Sequence, residues 1–232
     1  MKIQTIKTRI FQPRENILDF IESYQLKLTE KSIIVITSKI VALAEGRLVD
    51  KINSQTKDEL IIKESDLVLP TKYVCLTIKD GLVMANAGID ESNANNKLIL
   101  LPQDSFKTAS KIRHYFKKKY KLKKFGVIIT DSRCLPLRAG ITGVALGYAG
   151  FKGLKDYRKE KDIFGRPFIY SKVDVADSLA TAAVLGMGEG NQQRPLAMIY
   201  DAAVEFCDRV NRHELNIDIK DDLYRPLFEK IL

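Results

Sequence analysis

The strongest constraint on the fold is a β-branched run that leads directly into a carboxylate and a hydroxyl. Residues 127–130 read Val-Ile-Ile-Thr, a pattern typical of a buried strand. Asp131 and Ser132 follow without a break, so the strand places two oxygen-bearing side chains at its end. Such oxygens are ligands for hard divalent cations, and the run therefore predicts a metal site. An ordinary turn at a strand end would use the same residues, so this stretch alone leaves both interpretations open.

The residues after this strand add positive charge next to the two oxygens. Arg133 and Arg138 precede an apolar segment, residues 141–150, that is broken by glycines. Guanidinium groups bind phosphate or carboxylate through paired hydrogen bonds. These two arginines, together with Arg166 further along the chain, are therefore candidates to receive anionic groups of a substrate, and plain surface arginines are the competing interpretation.

Composition allows a sizeable hydrophobic core and indicates an anionic partner. The chain has 232 residues, 45% of them hydrophobic, which is enough for one large domain or two small ones. The formal net charge of +9 favours nucleotides, phosphorylated small molecules or nucleic acid as partners. Part of this charge lies in the lysine-rich run 117–124. Such a run is more typical of a solvated helix end than of a nucleic-acid surface, where basic and aromatic residues interleave.

Several classes of protein are disfavoured by residue usage. Cys75, Cys134 and Cys207 are too far apart in sequence for a zinc knuckle or a disulfide framework, which predicts a reducing, cytoplasmic compartment. His114 and His213 are isolated, which argues against a histidine metal site or a Ser-His triad. No stretch approaches about 18 consecutive apolar residues. The N-terminus lacks the apolar core of a signal peptide, so we expect no membrane association.

Strand-like and helix-like segments alternate along the chain and predict an α/β fold. Residues 32–37 predict a strand and residues 38–44 a helix. Free amides at the start of that helix, beside Ser38 and Lys39, would suit a phosphate, although an ordinary strand-to-helix turn is the better local explanation. The other expected elements are a strand within 3–11, a helix at 17–26, a polar surface excursion at 50–70, strands at 73–78 and 82–85 joined by a turn at 79–81, a helix capped by Asp104 or Ser105, a strand at 168–170, a helix at 175–186 capped by Ser171 or Asp174, a strand at 196–200, and a last helix packed through Leu223, Leu227, Ile231 and Leu232.

Two further loops place an acid among small and polar residues. Asp90 lies in the loop 86–93 after a predicted strand, and Glu189 lies between Gly188 and Gly190 in the loop 187–195. Acids at separate strand ends can share one divalent cation, and glycines let a backbone approach phosphates. Turns that use Asn, Gly and Asp for backbone reasons explain the same loops, and a lone Gly-x-Gly is weak evidence.

Taken in order, these segments resemble the coenzyme F420-0:L-glutamate ligase family. They follow the family order and span roughly residues 3–200, so the ordered set is specific although each piece is modest. The matching segments are 42–47 (Ala-Leu-Ala-Glu-Gly-Arg), 86–93 (Asn-Ala-Gly-Ile-Asp-Glu-Ser-Asn), 128–132 (Ile-Ile-Thr-Asp-Ser), 156–158 (Asp-Tyr-Arg), 162–166, 176–177 and 187–190.

The resemblance implies an α/β fold of intertwined mixed β-sheets with flanking helices, which forms a homodimer. One domain would cover residues 1–232. The alternative is that this domain consists of two intertwined subdomains. The implied enzyme is a ligase that joins the amine of L-glutamate to an acceptor carboxylate, using GTP and two Mg²⁺ or Mn²⁺ ions. The γ-phosphate is first transferred to the acceptor carboxylate, and the amine then displaces phosphate from the acyl phosphate. Two cations would neutralise the charge that develops on the transferring group.

The resemblance also assigns roles to residues of this chain. Asp90 and Asp131 match the acids that hold one metal ion, and Ser132 and Glu189 match ligands of the second. Asp90, Asp131 and Glu189, together with Arg138, are the candidate catalytic residues. The candidates for lining the nucleotide are Thr8, Arg9, Ile10, Phe11, Ser38, Lys39, Asn93, Met187, Gly188, Gly190, Asn191, Gln192, Gln193 and Arg194.

Several positions depart from the family pattern. Ser132 stands where many members have threonine, and the turn after it differs from their Thr-Phe-Gly-Arg-like sequence. Leu43 stands where many members have a lysine near the nucleotide, a role for which Lys39 could substitute. The loop 191–194 is unlike the deazaflavin-coenzyme enzymes and looks like members assigned to folate metabolism. F420-0 and a folate therefore both stay open as acceptors.

A second hypothesis belongs to another class of protein. The charge of +9 and the lysine run 117–124 would suit a nucleotide- or RNA-binding module that has lost catalysis. All four candidate metal ligands are nevertheless present, which argues against the loss of a metal site. We therefore favour the ligase and expect no nucleic-acid partner.

Overall fold

The computed structural model describes residues 1–51 and 54–228 of the chain. It has the expected α/β architecture, with mixed sheets and flanking helices. The strands are β1 (Lys2–Ile6), β2 (Ser32–Thr37), β3 (Leu48–Asp50), β4 (Leu67–Pro70), β5 (Cys75–Lys79), β6 (Leu82–Ala85), β7 (Lys97–Ile99), β8 (Phe125–Cys134), β9 (Ile141–Ala149), β10 (Leu154–Asp156), β11 (Lys172–Asp174) and β12 (Leu196–Tyr200). The α-helices are α1 (Ile17–Ser23), α2 (Ser38–Ala44), α3 (Ser54–Glu64), α4 (Ser105–Lys119), α5 (Val175–Met187) and α6 (Arg225–Phe228).

The largest sheet has five strands in the order β1-β12-β2-β8-β9. β2 and β8 run parallel, with Val35 opposite Ile128, and the other pairs are antiparallel. Residues of β2 are buried on both faces: Ile34 and Ile36 pack with α1 and α4, whereas Ile33 packs with α5. A continuous apolar run is therefore required here, because both faces of these strands are covered.

Residues 48–51 and 54–101 contain the two smaller sheets that precede β8 in the chain, and we call these residues the outer region. It contains the pair β3–β7 and the three-stranded sheet β4–β5–β6. A small buried cluster that includes Ile61, Ile89 and Leu98 holds these elements together. The polar surface excursion expected at 50–70 contains helix α3 and strand β4, which the sequence analysis did not predict.

The structure also corrects the expected element boundaries near the candidate site. β8 continues to Cys134 because β9 pairs with it up to Ile141, so Asp131 and Ser132 lie within the strand rather than after it. Residues 168–170 form no strand; β11 lies a few residues later and pairs with β10. The turn between β5 and β6 has left-handed residues at Asp80 and Gly81, as hairpin chemistry requires.

Helix α5 connects the large sheet to the loop that carries Glu189. Asp174 caps its first turn by accepting a hydrogen bond from the Asp177 amide. The helix approaches β9 so closely that a Cβ added to Gly143 would lie 2.7 Å from the carbonyl oxygen of Ala180. The hydroxyl of Thr181 donates to the Gly143 carbonyl at 2.8 Å and reinforces this contact. The close seam fixes where α5 ends.

The C-terminal segment does not match the expected amphipathic packing. The short helix α6 is present, but Leu223 is 85% exposed and Leu227 is 57% exposed. Ile231 and Leu232, expected on the same helix, lie outside the described residues. No helix in residues 1–51 and 54–228 is long and apolar enough to cross a bilayer. The number of folding domains stays a prediction.

Candidate active site

Asp131 lies where β8 extends past the end of β2. A register shift between Ile129 and Thr130 interrupts the pairing of β8 with β9 just before this residue. Burial raises the pKa of Asp131 to about 6, and the charges of Asp90 and Glu189 raise it further, against hydrogen bonds from the Ser132 amide and the Ser38 hydroxyl. Part of Asp131 remains open to solvent, yet its carboxyl lies deep enough for desolvation to dominate.

Asp90 reaches the site from the outer region. The ammonium of Lys39, on α2, lies 2.6 Å from Asp90 Oδ2 and also donates to the carbonyl and hydroxyl of Ser92. The Ser92 amide donates to Asp90 Oδ1 at 2.6 Å. Burial opposes ionisation of this carboxyl, but Lys39 and Ser92 outweigh it, so its pKa lies below the usual value. Lys39 thus ties α2 to the loop that carries Asp90.

Glu189 reaches the site from the end of α5. The Ser132 hydroxyl donates to Glu189 Oε1 at 2.5 Å, which joins two residues separated by 57 positions. Gly188 ends the helix with φ near 80°, a conformation that favours glycine and turns the chain back toward β8. The expected pairing of Ser132 with Glu189 is therefore present as a direct contact.

The candidate metal ligands fit a hard divalent cation in their chemistry. All four supply oxygen: three carboxylates and one hydroxyl. The raised pKa of Asp131 indicates negative charge that protein donors do not balance. Within the described residues, however, no three acidic, histidine or cysteine side chains come close enough to hold an ion by themselves. Asp90 and Glu189 both lie near enough to Asp131 for their charges to raise its pKa, and Ser132 contacts Glu189 directly.

The two chain segments expected to line a nucleotide are joined to each other. The Thr8 amide donates to the Gln193 carbonyl at 2.8 Å. Arg9 pairs with Glu15, and its guanidinium lies 5.0 Å from the ring centre of Phe20. Phe11 is buried in the core, whereas Ile10 is 67% exposed. Arg9 and Phe11 therefore have structural contacts of their own, and nucleotide binding at this segment stays a prediction.

The remaining nucleotide candidates lie mainly on exposed loops. Asn93 is exposed with φ near 52°, and Gln193 has φ near 54°. The amide of Gly190 donates to the Gln192 side chain at 2.8 Å, which orders the loop after Glu189. Ser38 and Met187 are buried, and Gly188, Asn191, Gln192 and Arg194 are exposed. Their roles toward a nucleotide stay predictions.

The arginines expected to receive anions lie in different places. Arg133 Nη2 pairs with Asp177 Oδ2 of α5 at 2.7 Å. Arg138 is exposed in the turn between β8 and β9, and Arg166 is exposed in the loop after β10. Only Arg133 lines a cavity beside Asp131, so the structure does not bring the three arginines together. The catalytic role of Arg138 stays a prediction.

Two adjoining cavities lie between β6 and the β8–β9 pair. The smaller, about 140 Å³, is lined by Asp131, Ser132 and Arg133. The larger, about 290 Å³, extends toward α5 and the loop before α4. Leu82, Met84, Arg133 and Leu146 line both cavities.

Sequence reasoning missed the role of Asp177 in the wall of the larger cavity. Its Oδ1 accepts the Ala145 amide at 2.9 Å while its Oδ2 pairs with Arg133, so it links α5, β9 and β8. The available signal was an acid in the first turn of an otherwise apolar, small-residue helix. An acid in that setting is buried against the neighbouring sheet and requires a partner.

The lysine run 117–124 has structural partners. Lys117, Lys118 and Lys119 form the last turn of α4, where positive charge is favourable because of the helix dipole. Lys117 Nζ lies 2.5 Å from Asp208, and Lys119 pairs with Glu22. These contacts favour the solvated helix end over a nucleic-acid surface.

Known proteins match the chain over most of its length. The family model described as F420-0:Gamma-glutamyl ligase matches residues 5–201. A Methanococcus maripaludis (strain C7) protein named coenzyme F420:L-glutamate ligase is 35% identical over 225 aligned residues, covering 89% of each chain. A protein of the same name from Methanocaldococcus jannaschii is 32% identical, covering 93% of this chain and 89% of the relative. Another, from Methanosarcina mazei, is 36% identical, covering 75% of this chain and 76% of the relative.

Proposed function

The chain belongs to the F420-0:gamma-glutamyl ligase family, and on that premise we propose that it is a GTP- and divalent-metal-dependent γ-glutamyl ligase. The enzyme forms an amide between L-glutamate and an acceptor carboxylate, either F420-0 or a folate, in the cytoplasm. The names of the relatives support F420 as the acceptor class. The loop 191–194 supports the folate alternative, because it departs from the deazaflavin-coenzyme enzymes.

A carboxylate must be activated before an amine can attack it. We propose that the γ-phosphate of GTP passes to the acceptor carboxylate and that glutamate then displaces phosphate from the acyl phosphate. Asp90 and Asp131 would hold one Mg²⁺ or Mn²⁺ ion, and Ser132 and Glu189 the other. When bound, the two ions supply positive charge to the transferring phosphoryl group and align it.

The protein side chains have their own parts in this proposal. Lys39 fixes the loop of Asp90 and brings a positive charge to the mouth of the site. The contact between Ser132 and Glu189 keeps the end of α5 against β8, so that both oxygens face the same region.

One observation carries the proposal more than any other. Three distant chain segments, around Asp90, Asp131 and Glu189, converge so closely that two of these carboxylates raise the pKa of the third. Like charges are assembled at a cost to stability, which is typical of sites that bind a cation or perform catalysis.

The direct test is product formation. Purified protein is incubated with GTP, Mn²⁺ and L-glutamate together with F420-0 or a folate, and the products are analysed by mass spectrometry. We expect one acceptor to gain a glutamyl residue, with phosphate release that depends on the acceptor. Parallel reactions with ATP, and with metal removed by chelation, test the nucleotide and metal requirements.

A matched pair of variants makes this test specific. Asp131→Asn should remove activity, whereas Asp58→Asn, an exposed carboxylate on α3, should retain it. Lack of product with both acceptors from active, metal-loaded protein would contradict the ligase proposal. RNA retention on a filter without any nucleotide-dependent reaction would instead support the binding-module hypothesis.

We also propose that the enzyme works as a homodimer. Large apolar side chains are exposed at Leu137, Ile163, Phe164 and Leu185, with Leu137 fully so. Exposed apolar surface of this kind is typical of interfaces. Light scattering after size-exclusion chromatography should give twice the chain mass, and a monomer at micromolar concentration would contradict the proposal.

A further inference from the structure

The larger cavity is lined by positively and negatively charged side chains that belong neither to the candidate metal site nor to the candidate nucleotide loops. Its wall contains three cationic side chains and four carboxylates. These groups are Lys79, Arg133, Arg212, Asp80, Asp104, Asp174 and Asp177. A nucleotide triphosphate would be repelled by so many carboxylates, whereas a small zwitterion would find partners for both of its signs.

Most of these charges already have partners within the protein. Lys79 pairs with Glu64 at 3.2 Å, and Arg212 pairs with Asp104 at 3.3 Å. Asp174 differs from them, because no lysine or arginine forms an ion pair with it in the described part of the chain. Burial raises the pKa of Asp174 to about 6, and the neighbouring charge of Asp177 raises it further. A ligand ammonium would supply the compensation that this carboxylate lacks.

Arg133 is the complementary group. Its Nη2 pairs with Asp177, but its buried Nε has no acceptor among the described residues. A guanidinium offers five donors, and 29% of this side chain is exposed, so its accessible part retains capacity for a carboxylate. Arg133 and Asp174 line the same cavity, and the positive charge of Arg133 lowers the pKa of Asp174. Together they offer one anion and one cation to a ligand in this cavity.

The position of Arg133 links this cavity to the proposed chemistry. It lies two residues beyond Asp131 on β8, about 7 Å along the strand. It also lines both cavities, and the apolar side chains of Leu82, Met84 and Leu146 form the rest of their common wall. A ligand held by Arg133 and Asp174 would therefore place its charged end at the boundary of the cavity that contains Asp131.

We propose that the larger cavity binds the amino-acid substrate, with Asp174 receiving its ammonium and Arg133 its α-carboxylate. The side chain of glutamate would extend into the cavity toward Lys79 and Arg212. This assignment rests on the proposed ligase function, and it makes Asp174 and Arg133 determinants of substrate specificity. It also explains why four carboxylates line a cavity in an enzyme whose other substrates are anionic.

The test compares ligands that lack one recognised group. Calorimetry measures the binding of L-glutamate, of glutarate, which lacks the ammonium, and of 4-aminobutyrate, which lacks the α-carboxylate. Asp174→Asn keeps the oxygen that caps α5, so the fold should persist. We expect this variant to bind glutamate about tenfold more weakly, with no change for glutarate. Arg133→Lys should weaken glutamate by a similar factor, with no change for 4-aminobutyrate.

A control and a kinetic measurement complete the test. Asp218→Asn alters another capping aspartate, outside the cavity, and should leave every affinity unchanged. In turnover assays, Asp174→Asn should raise KM for glutamate and leave KM for GTP unchanged. Unchanged glutamate affinity in both cavity variants would overturn the inference, as would equal losses for glutamate and glutarate in Asp174→Asn.

The outcomes also separate this inference from the ligase proposal. Wild-type ligase activity combined with unchanged KM in both variants would overturn the inference alone. Selective glutamate binding without any ligase activity would support the amino-acid site and reject the proposed reaction.

Discussion

Asp131 and Asp90 enter the same site from two differently built regions of the molecule. Asp131 lies on a strand of the five-stranded sheet, which is buried on both faces. Asp90 lies in the outer region, whose buried cluster is much smaller. The charge of Asp90 is balanced by Lys39, whereas Asp131 receives only hydrogen bonds from Ser38 and Ser132.

This difference indicates how stability and function are divided between the two regions. The large sheet has enough buried surface to hold an unbalanced carboxylate in place. The outer region contributes a carboxylate that is already paired, so a cation that binds there must compete with the Lys39 ammonium. In the proposed metal site, the sheet would therefore contribute a carboxylate with uncompensated charge, and the outer region one that is already paired.

The largest expected effects come from substituting Asp131 and Asp90. The two variants should lose turnover alike but change stability in opposite directions. Asp131→Asn and Asp90→Asn should each reduce ligase turnover on the order of 10²-fold or more, because each removes charge that a cation requires. Metal-free Asp131→Asn should be more stable than the wild type by roughly 1–3 kcal/mol, since a buried charge is removed. Asp90→Asn should be less stable by under about 1 kcal/mol, since Lys39 loses its partner.

Urea unfolding in the presence of a chelator measures both stability changes, and phosphate release measures turnover. Asp58→Asn serves as the control for an exposed carboxylate. Shifts of the same sign in the two variants would remove the distinction between the regions.

Glu189→Gln examines the half of the site that follows α5. The amide keeps the size of the side chain and can still accept the Ser132 hydroxyl, but it loses the charge. Turnover at saturating GTP should fall on the order of 10²-fold, while GTP affinity measured by calorimetry changes little. If affinity falls instead and turnover at saturation is retained, Glu189 acts in ground-state binding only.

Gly143→Ala tests whether the large sheet holds this half of the site rigidly. The new Cβ would lie 2.7 Å from the Ala180 carbonyl, and both groups are in packed secondary structure. We expect a loss of stability of about 1–3 kcal/mol and a displacement of α5 that lowers turnover. Gly140→Ala is the matched control, because no atom lies within 4 Å of its added Cβ, although its φ of 92° adds some strain. Equal effects of the two substitutions on turnover would show that the seam between α5 and β9 does not position Glu189.

The smallest expected effect is a difference in pH dependence. An unfolded aspartate titrates near pH 4, whereas Asp174 in the folded protein titrates at about 6. The folded state therefore keeps a proton that the unfolded state has lost, so stability falls as pH rises from about 4 to 6. Asp174→Asn should reduce the loss of stability over this pH range by on the order of 1 kcal/mol. This figure already allows for solvent screening of the charge.

Asp90 should give the opposite sign in the same experiment. Its folded pKa is lowered, so its contribution is present above about pH 4 and is lost as pH falls through the folded pKa. Urea midpoints of both variants, measured from about pH 2 to pH 7, provide the test, because the Asp90 effect falls below about pH 4 and the Asp174 effect above it. Parallel slopes in wild type and both variants would contradict the two assignments.

The large sheet could be predicted from sequence, whereas the outer region could be predicted only in part. Strands β2 and β12 have the expected boundaries, because β-branched and apolar runs buried on both faces leave a strong pattern. Helix α3 was missed because it is mostly polar and Ile61 is its only fully buried residue among those described. Its apolar face is too narrow to give a clear helical period.

For the site, the resemblance gave the residues but not their electrostatics. Ser132 and Glu189 are in direct contact, and their common role as metal ligands stays a prediction. Asp131 follows a β-branched run and Asp90 lies in a polar loop, but neither local sequence predicts the direction of the pKa shift. Their opposite pKa shifts depend on Lys39 and on burial, which only the three-dimensional arrangement determines.

The strand order has a consequence for how the chain is made. β12 lies between β1 and β2, so the first strand cannot join the sheet until residues 196–200 exist. That interval is 190 residues (196 − 6), or roughly 10 to 40 s of ribosomal synthesis at about 5–20 residues per second. Throughout it, β2 presents an unpaired edge in the nascent chain, where other strands can attach. The contact between Thr8 and Gln193 also forms only then, so the two segments proposed to line a nucleotide come together after residue 193 has been made.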